Sequence, residues 1–158
     1  MIDYICADDP SGTSYILLSL NERSKMILVF GGAFQGKYDF AKENFPLQCK
    51  NTFDLKEKNA LEFCSFIASS NEPFAVNHFE MFVKYISSLG EEDPAFLNSY
   101  LKQFSNSIIV CSDETQGVVP VDKQERAYRE LLGRTLAYLG KEADEVYRVF
   151  CGLSQRIK

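Results

Sequence analysis

Histidine is nearly absent from this chain of 158 residues: His78 stands alone. A zinc site built on Cys and His needs several ligands at short, fixed spacing, so that chemistry is excluded. The five cysteines, Cys6, Cys49, Cys64, Cys111 and Cys151, contain no CxxC pair, and their number is odd. They read as free thiols of a reducing compartment. Cys6, Cys111 and Cys151 lie in or beside apolar runs and read as buried. Positive charge is also short, with 17 Lys plus Arg against 22 Asp plus Glu and a formal net charge of −5. A dedicated nucleic-acid binder carries a basic face, so that class is excluded, while a local basic pocket for a phosphate is not. No apolar run approaches the roughly 20 residues of a membrane span. The first residues lack the basic and apolar regions of a secretory leader. The expectation is a soluble cytoplasmic protein with no membrane partner.

What is present is ordinary for a folded domain, 46% hydrophobic and 25% charged, so disorder is not the main story. Residues 2–7 (IDYICA) and 14–20 (SYILLSL) are apolar and rich in strand formers. Asp8-Asp9-Pro10-Ser11-Gly12 between them is turn chemistry. Asn21 to Lys25 is a polar break. The division expected is a β-hairpin extension over 1–25 and a domain over 26–158.

Met26 to Phe30 is an apolar run with both faces apolar, which fits a strand buried between helix layers. A helix is expected from Lys37 to Glu43 and a loop over 45–55. Apolar positions recur at helical spacing over 56–70 and over 79–89, with a short strand at 73–77 between them. A further amphipathic helix is expected from Pro94 to Phe104, then a strand from Ser107 to Cys111. Ser112 to Pro120 reads as a loop. Asp122 with Glu125 opens a long helix from Lys123 to Leu139, which Gly140 is expected to stop. Glu145 to Phe150 is the last strand. Strands alternating with helices predict an α/β fold with a mainly parallel sheet flanked by helices. Ligands then sit at the carboxyl ends of the strands.

At one such end stands Gly31-Gly32-Ala33-Phe34-Gln35-Gly36-Lys37, a GxxxxGK sequence. Glycines let backbone N–H groups converge on phosphate oxygens. The helix N-terminus adds its dipole, and Lys37 adds a point charge. Gly31, Gly32, Gly36, Lys37 and Tyr38 are therefore the candidate nucleotide-binding residues of a P-loop NTPase-like domain. Tyr38 breaks the pattern, since a Ser or Thr hydroxyl is needed there to ligate Mg²⁺. Asn77 stands where a second-strand carboxylate would hold the metal. No metal ligand is assigned. His78 beside it reads as a surface or cap residue rather than a nucleophile.

The last third carries linked motifs: Ser112-Asp113-Glu114-Thr115-Gln116-Gly117-Val118-Val119-Pro120, then Arg126-Ala127-Tyr128-Arg129-Glu130-Leu131-Leu132-Gly133, then Ala143-Asp144-Glu145-Val146 and Gly152-Leu153. In this order they resemble the bifunctional adenosylcobinamide kinase / adenosylcobinamide-phosphate guanylyltransferase family. The resemblance runs over 26–158 and is strongest over 107–158. It implies a P-loop NTPase fold, often a trimer, that phosphorylates a corrinoid precursor of cobalamin with ATP or GTP. It also implies transfer of GMP through a covalent histidine.

Carried onto this chain, Gly31, Gly36 and Lys37 match the phosphate loop and Glu114 matches a glutamate of the family, the one catalytic candidate. Arg126 and Arg129 match its arginines, as phosphate or subunit contacts or as plain helix charges. Tyr38 and Asn77 replace the two metal ligands, and residues 38–77 hold no histidine to guanylylate. ATP or GTP is the expected ligand, a corrinoid precursor a candidate partner, and Mg²⁺ is expected to be held badly. Three readings stay open: a nucleotide-binding relative degenerate in catalysis, an active transferase with metal ligation altered through Asp113 or Glu114, and an interaction protein with a vestigial loop.

Overall fold

The computed structural model describes residues 25–70 and 72–158. The hairpin expected over 2–20 lies outside the described residues. β1 (Ile27–Gly31) is buried along nearly its whole length. It pairs in parallel with β4 (Ser107–Ser112) on one side and β5 (Glu145–Phe150) on the other. β3 (Phe74–Asn77) and β2 (Thr52–Asp54) continue the parallel sheet beyond β4. β6 (Leu153–Arg156) closes the other edge, antiparallel to β5. The order β2-β3-β4-β1-β5-β6 is the α/β sheet expected from the alternation of strands and helices.

Successive side chains of a strand face opposite ways, and the core divides accordingly. Leu28, Val76, Ile109 and Cys111 face three helices: α3 (Ala60–Ser69), α4 (Phe79–Ser88) and α5 (Lys123–Glu142). Ile27, Val29, Ile108, Val110 and Val149 face the other layer, of α1 (Lys37–Asn44) and α2 (Pro46–Cys49). The first layer is cemented by phenylalanines. Phe63 and Phe82 meet edge to face at 5.2 Å between centroids, and Phe79 and Phe82 lie 5.6 Å apart, separations at which aromatic pairs attract beyond their buried area.

The helix starts follow local chemistry. Asn59 Oδ1 accepts from Glu62 N–H at 2.9 Å, and its amide donates to the Glu62 carboxylate at 2.7 Å. Asp122 Oδ1 accepts from Glu125 N–H at 2.8 Å. Each satisfies a backbone donor that the first helical turn leaves open.

Five expectations are corrected. The stretch 45–55 is not all loop, since it holds α2 and β2. Three residues become a strand there because Phe53 is buried and the backbone pairs with β3. The helix expected over 94–104 is instead two tight 3₁₀ turns, Pro94–Ser99 and Gln103–Asn106. Ser99 Oγ donates to the Phe96 carbonyl at 2.9 Å, and Asn98 accepts from the Tyr138 hydroxyl. Such polar side chains compete with a regular helix. Gly140 does not stop α5, which runs on to Glu142, where Ala143 N–H bonds to the Leu139 carbonyl at 2.8 Å. β5 is not the last strand. β6 follows it, exposed at every position and so without an alternating apolar signal. Cys151 is exposed rather than buried, because it sits in the β5–β6 turn with φ of 49°. Cys111 is buried, and all four described cysteines are free.

Glu145 pins the start of β5. Its carboxylate takes Lys25 Nζ at 2.8 Å and the Tyr147 hydroxyl at 2.8 Å, with Arg156 at 3.6 Å. The Lys25 hydrogen bond, then that of Tyr147, holds it below the usual carboxylate range, against the opposing effect of burial. A depressed folded-state value contributes stability above the unfolded carboxylate range, and that contribution is lost as pH falls through the folded value. Glu145→Gln should cost about 1 kcal/mol at pH 7. The gap from the parent, read by urea unfolding across pH, should close under acid. A gap that persisted at pH 2 would contradict the assignment.

Candidate functional site

The carboxyl ends of β1, β3 and β4 meet at one edge of the sheet, and the GxxxxGK segment lies there. Gly31 ends β1 under the β5 backbone, where a Cβ would stand 2.2 Å from the Val149 carbonyl oxygen. Gly36, at φ 81°, turns the chain into α1. The left-handed region suits glycine because it has no Cβ to clash. The first N–H groups of α1 therefore open at the mouth of the loop, where an anion is favoured.

Lys37 is buried, and its Nζ donates to the Gly32 carbonyl at 2.7 Å, back into its own loop. Burial lowers its pKa, and the Glu80 carboxylate is the main charge resisting that. Gln35 ties the loop to the β5–β6 turn. Its side-chain oxygen accepts from Cys151 N–H, and its carbonyl accepts from Gly152 N–H at 3.2 Å. Phe34 adopts φ 57° with its ring 99% exposed. A bulky residue in that region is strained, and such strain persists where the surroundings enforce it. The loop thus presents an unpacked aromatic ring at its tip.

Tyr38 points away from this mouth. Its hydroxyl donates to Thr52 Oγ1 at 3.0 Å, and Lys42 lies 4.8 Å from its ring centroid. Asn77 donates to Asp54 Oδ2 at 2.8 Å, linking the ends of β3 and β2. His78 adopts φ 59° at the start of α4 and gives no side-chain cap bond. Its Nδ1 lies 3.0 Å from Glu80 Oε1, while Glu80 Oε2 accepts from Ser112 N–H at 2.8 Å. Among the described residues no group of three or more His, Cys, Asp or Glu is set to hold a metal ion.

The loop from 113 to 121 frames the other side. Asp113 N–H bonds to the Gly31 carbonyl at 2.8 Å, and its Oδ1 accepts from Thr115 N–H and Oγ1. Glu114 accepts from the Tyr128 hydroxyl at 2.9 Å; burial first, and then this hydrogen bond, raise that phenol's pKa and keep it a donor. Arg126 donates to the Pro120 and Val121 carbonyls, and Arg129 to the Val118 carbonyl at 2.9 Å. Both arginines therefore strap this loop to α5. Gly31, Gly32, Gly36 and Lys37 converge on the mouth, and Tyr38, Arg126 and Arg129 are occupied elsewhere.

Residue patterns did not single out Glu80, Gln35 or Asp54. Glu80 carried a signal: it is an acidic residue inside the Phe79, Phe82, Val83 apolar face of α4. Gln35 and Asp54 act through partners remote in sequence, which spacing cannot show.

A family model described as cobinamide kinase / cobinamide phosphate guanyltransferase matches residues 78–157, from the start of α4 through β6. The chain belongs to this family. Just over half of it lies within the match, and that half includes the 113–121 loop and both strapping arginines. The GxxxxGK loop precedes the matched residues, so its case within the cobinamide kinase / guanyltransferase family rests on geometry. No curated protein matches the chain. Among the described residues no helix is long and apolar enough to cross a membrane.

Proposed function

We propose that this member of the cobinamide kinase / cobinamide phosphate guanyltransferase family binds the phosphates of ATP or GTP at Gly31–Lys37 without metal-assisted transfer. One observation carries the reading: Lys37 lies buried at the mouth while the next side chain, Tyr38, spends its hydroxyl on Thr52. The residues present fit a phosphate. The α1 N-terminus supplies backbone donors and Lys37 the charge. They do not fit a P-loop Mg²⁺, which needs a short hydroxyl at position 38 and a free carboxylate at position 77. Asp113 and Glu114, the alternatives for altered ligation, already accept from Thr115 and Tyr128. Phosphoryl transfer depends on charge neutralisation by metal and lysine together, so binding without turnover is the reading supported.

The test is a thermal-shift and turnover panel of ATP, GTP and inorganic phosphate, each with Mg²⁺ and with EDTA. The expected result is stabilisation by nucleotide that is the same in both conditions, with no phosphate or pyrophosphate released in the presence of cobinamide. Mg²⁺-dependent turnover would overturn the degenerate reading and favour a transferase. An absence of any shift would favour an interaction protein.

A further inference from the structure

Among the described residues, the helix layer that carries α3, α4 and α5 does not cover the whole sheet. It ends at α5, and beyond that helix runs a mainly apolar groove of about 490 Å³, whose polar lining is Asp113, Thr115 and Lys158. Leu28 and Phe30 of β1, Val146 of β5 and Ile157 form its sheet side, and Ala137 and Gly140 of α5 its helix side. The core-facing residues of α5, such as Leu131, Leu132 and Leu139, point elsewhere. A Cβ added at Gly140 would meet nothing within 4 Å among the described residues. The groove flank is thus open backbone, wide enough for another chain segment to approach closely.

The described chain begins at the end of this groove. Met26 N–H donates to Asp144 at 2.8 Å, and Lys25 Nζ to Glu145 at 2.8 Å. Val146, the next residue, lines the groove. Lys25, the first described residue, therefore stands at the Gly140 and Val146 end of the groove, and 24 residues precede it in sequence. They include the apolar run 14–20 (SYILLSL), separated from Met26 by the polar stretch Asn21 to Lys25. Five extended residues reach at most about 17 Å, enough to turn back over the groove without disturbing β1. An apolar run of that kind left in water beside an apolar groove forgoes burial of both.

We propose that residues 14–20 of the same chain dock in this groove and complete the helix-side layer over β1 and β5. The proposal is independent of the nucleotide reading. Its test is hydrogen–deuterium exchange read by mass spectrometry on the full chain at low micromolar concentration, in the parent and in Gly140→Arg and Ala137→Arg. Gly140→Arg projects a side chain into the groove from a site with free space, so the helix itself is kept. The amides of 15–20 should exchange at least about tenfold more slowly than unstructured peptide in the parent. Both variants should abolish that protection while the β4 amides of 107–112 keep theirs.

Exchange of 15–20 at the unstructured rate in the parent would overturn the proposal. So would protection that survives both variants. Protection that disappears on dilution, together with a larger species in light scattering, would assign the groove to a second copy and also overturn it.

Discussion

Gly31→Ala should cost the protein about 3 kcal/mol of stability, lowering its melting temperature by about 6–12 °C. The added methyl would sit 2.2 Å from the Val149 carbonyl oxygen. That atom is backbone, in a strand paired to β1 on one side and β6 on the other. It cannot swing aside as a side chain would, so β1 and β5 must part or the loop must shift. The neighbouring glycine is the control. At Gly32 the nearest atom to an added Cβ is Gln35 Cγ at 3.4 Å, the flexible part of a side chain. Gly32→Ala should fall within about 0.5 kcal/mol of the parent. Urea unfolding of both variants decides the matter, and equal losses would show that the clash is relieved by motion absent from the structure.

Lys37→Ala should abolish the nucleotide-induced thermal shift, with a loss of about 100-fold in affinity, or about 2.7 kcal/mol. The effect on the free protein should have the opposite sign or be close to nil. Burial lowers the Lys37 pKa below its ordinary 10.5, so the charged amine destabilises the fold. Below the folded-state value the unfolded and folded forms both carry the proton, and the penalty is present in full. Between that value and 10.5 the unfolded state binds more protons, so the parent gains stability as pH rises. Lys37→Ala should remove this alkaline gain. Calorimetry of the free protein from pH 7 to pH 11, with nucleotide titration at pH 7, separates the two effects. A variant that bound nucleotide as the parent does would remove Lys37 from the site.

The sheet was legible because each central strand announces itself as a short apolar run bounded by Gly, Pro or polar residues. β1, β3 and β4 have this form, while β5 is a run of strand formers interrupted by Arg148. β2 and β6 do not: β2 offers one buried apolar side chain, Phe53, and β6 none, so pairing with β3 and β5 supplies what a run of apolar residues would. The tight turns over 94–106 were hidden behind good helical spacing. Phe96, Leu97, Tyr100, Leu101 and Phe104 all pack on the core, but Ser99 bonds to the Phe96 carbonyl and so competes with regular helical hydrogen bonding.

At the site, the left-handed turn at Gly36 and the length of the Tyr38 side chain were legible locally, since they depend on backbone freedom and side-chain size. The destinations of Tyr38, Asn77 and Gln35 were not legible. Each bonds to a partner brought close only by folding: Thr52, Asp54 and the β5–β6 turn.

The position of β1 in the middle of the sheet also orders events in time. Both of its neighbours, β4 and β5, are made late by the ribosome, and the bond from Met26 to Asp144 joins residues 118 apart in sequence. Contacts so distant carry a large loop-closure cost and form slowly. Gly31 is roofed by Val149, and Gln35 is tethered by Cys151 and Gly152. The GxxxxGK residues are therefore expected to acquire their curve only when the final hairpin docks beside them. In refolding, the nucleotide-induced thermal shift proposed for this loop should be among the last properties to return.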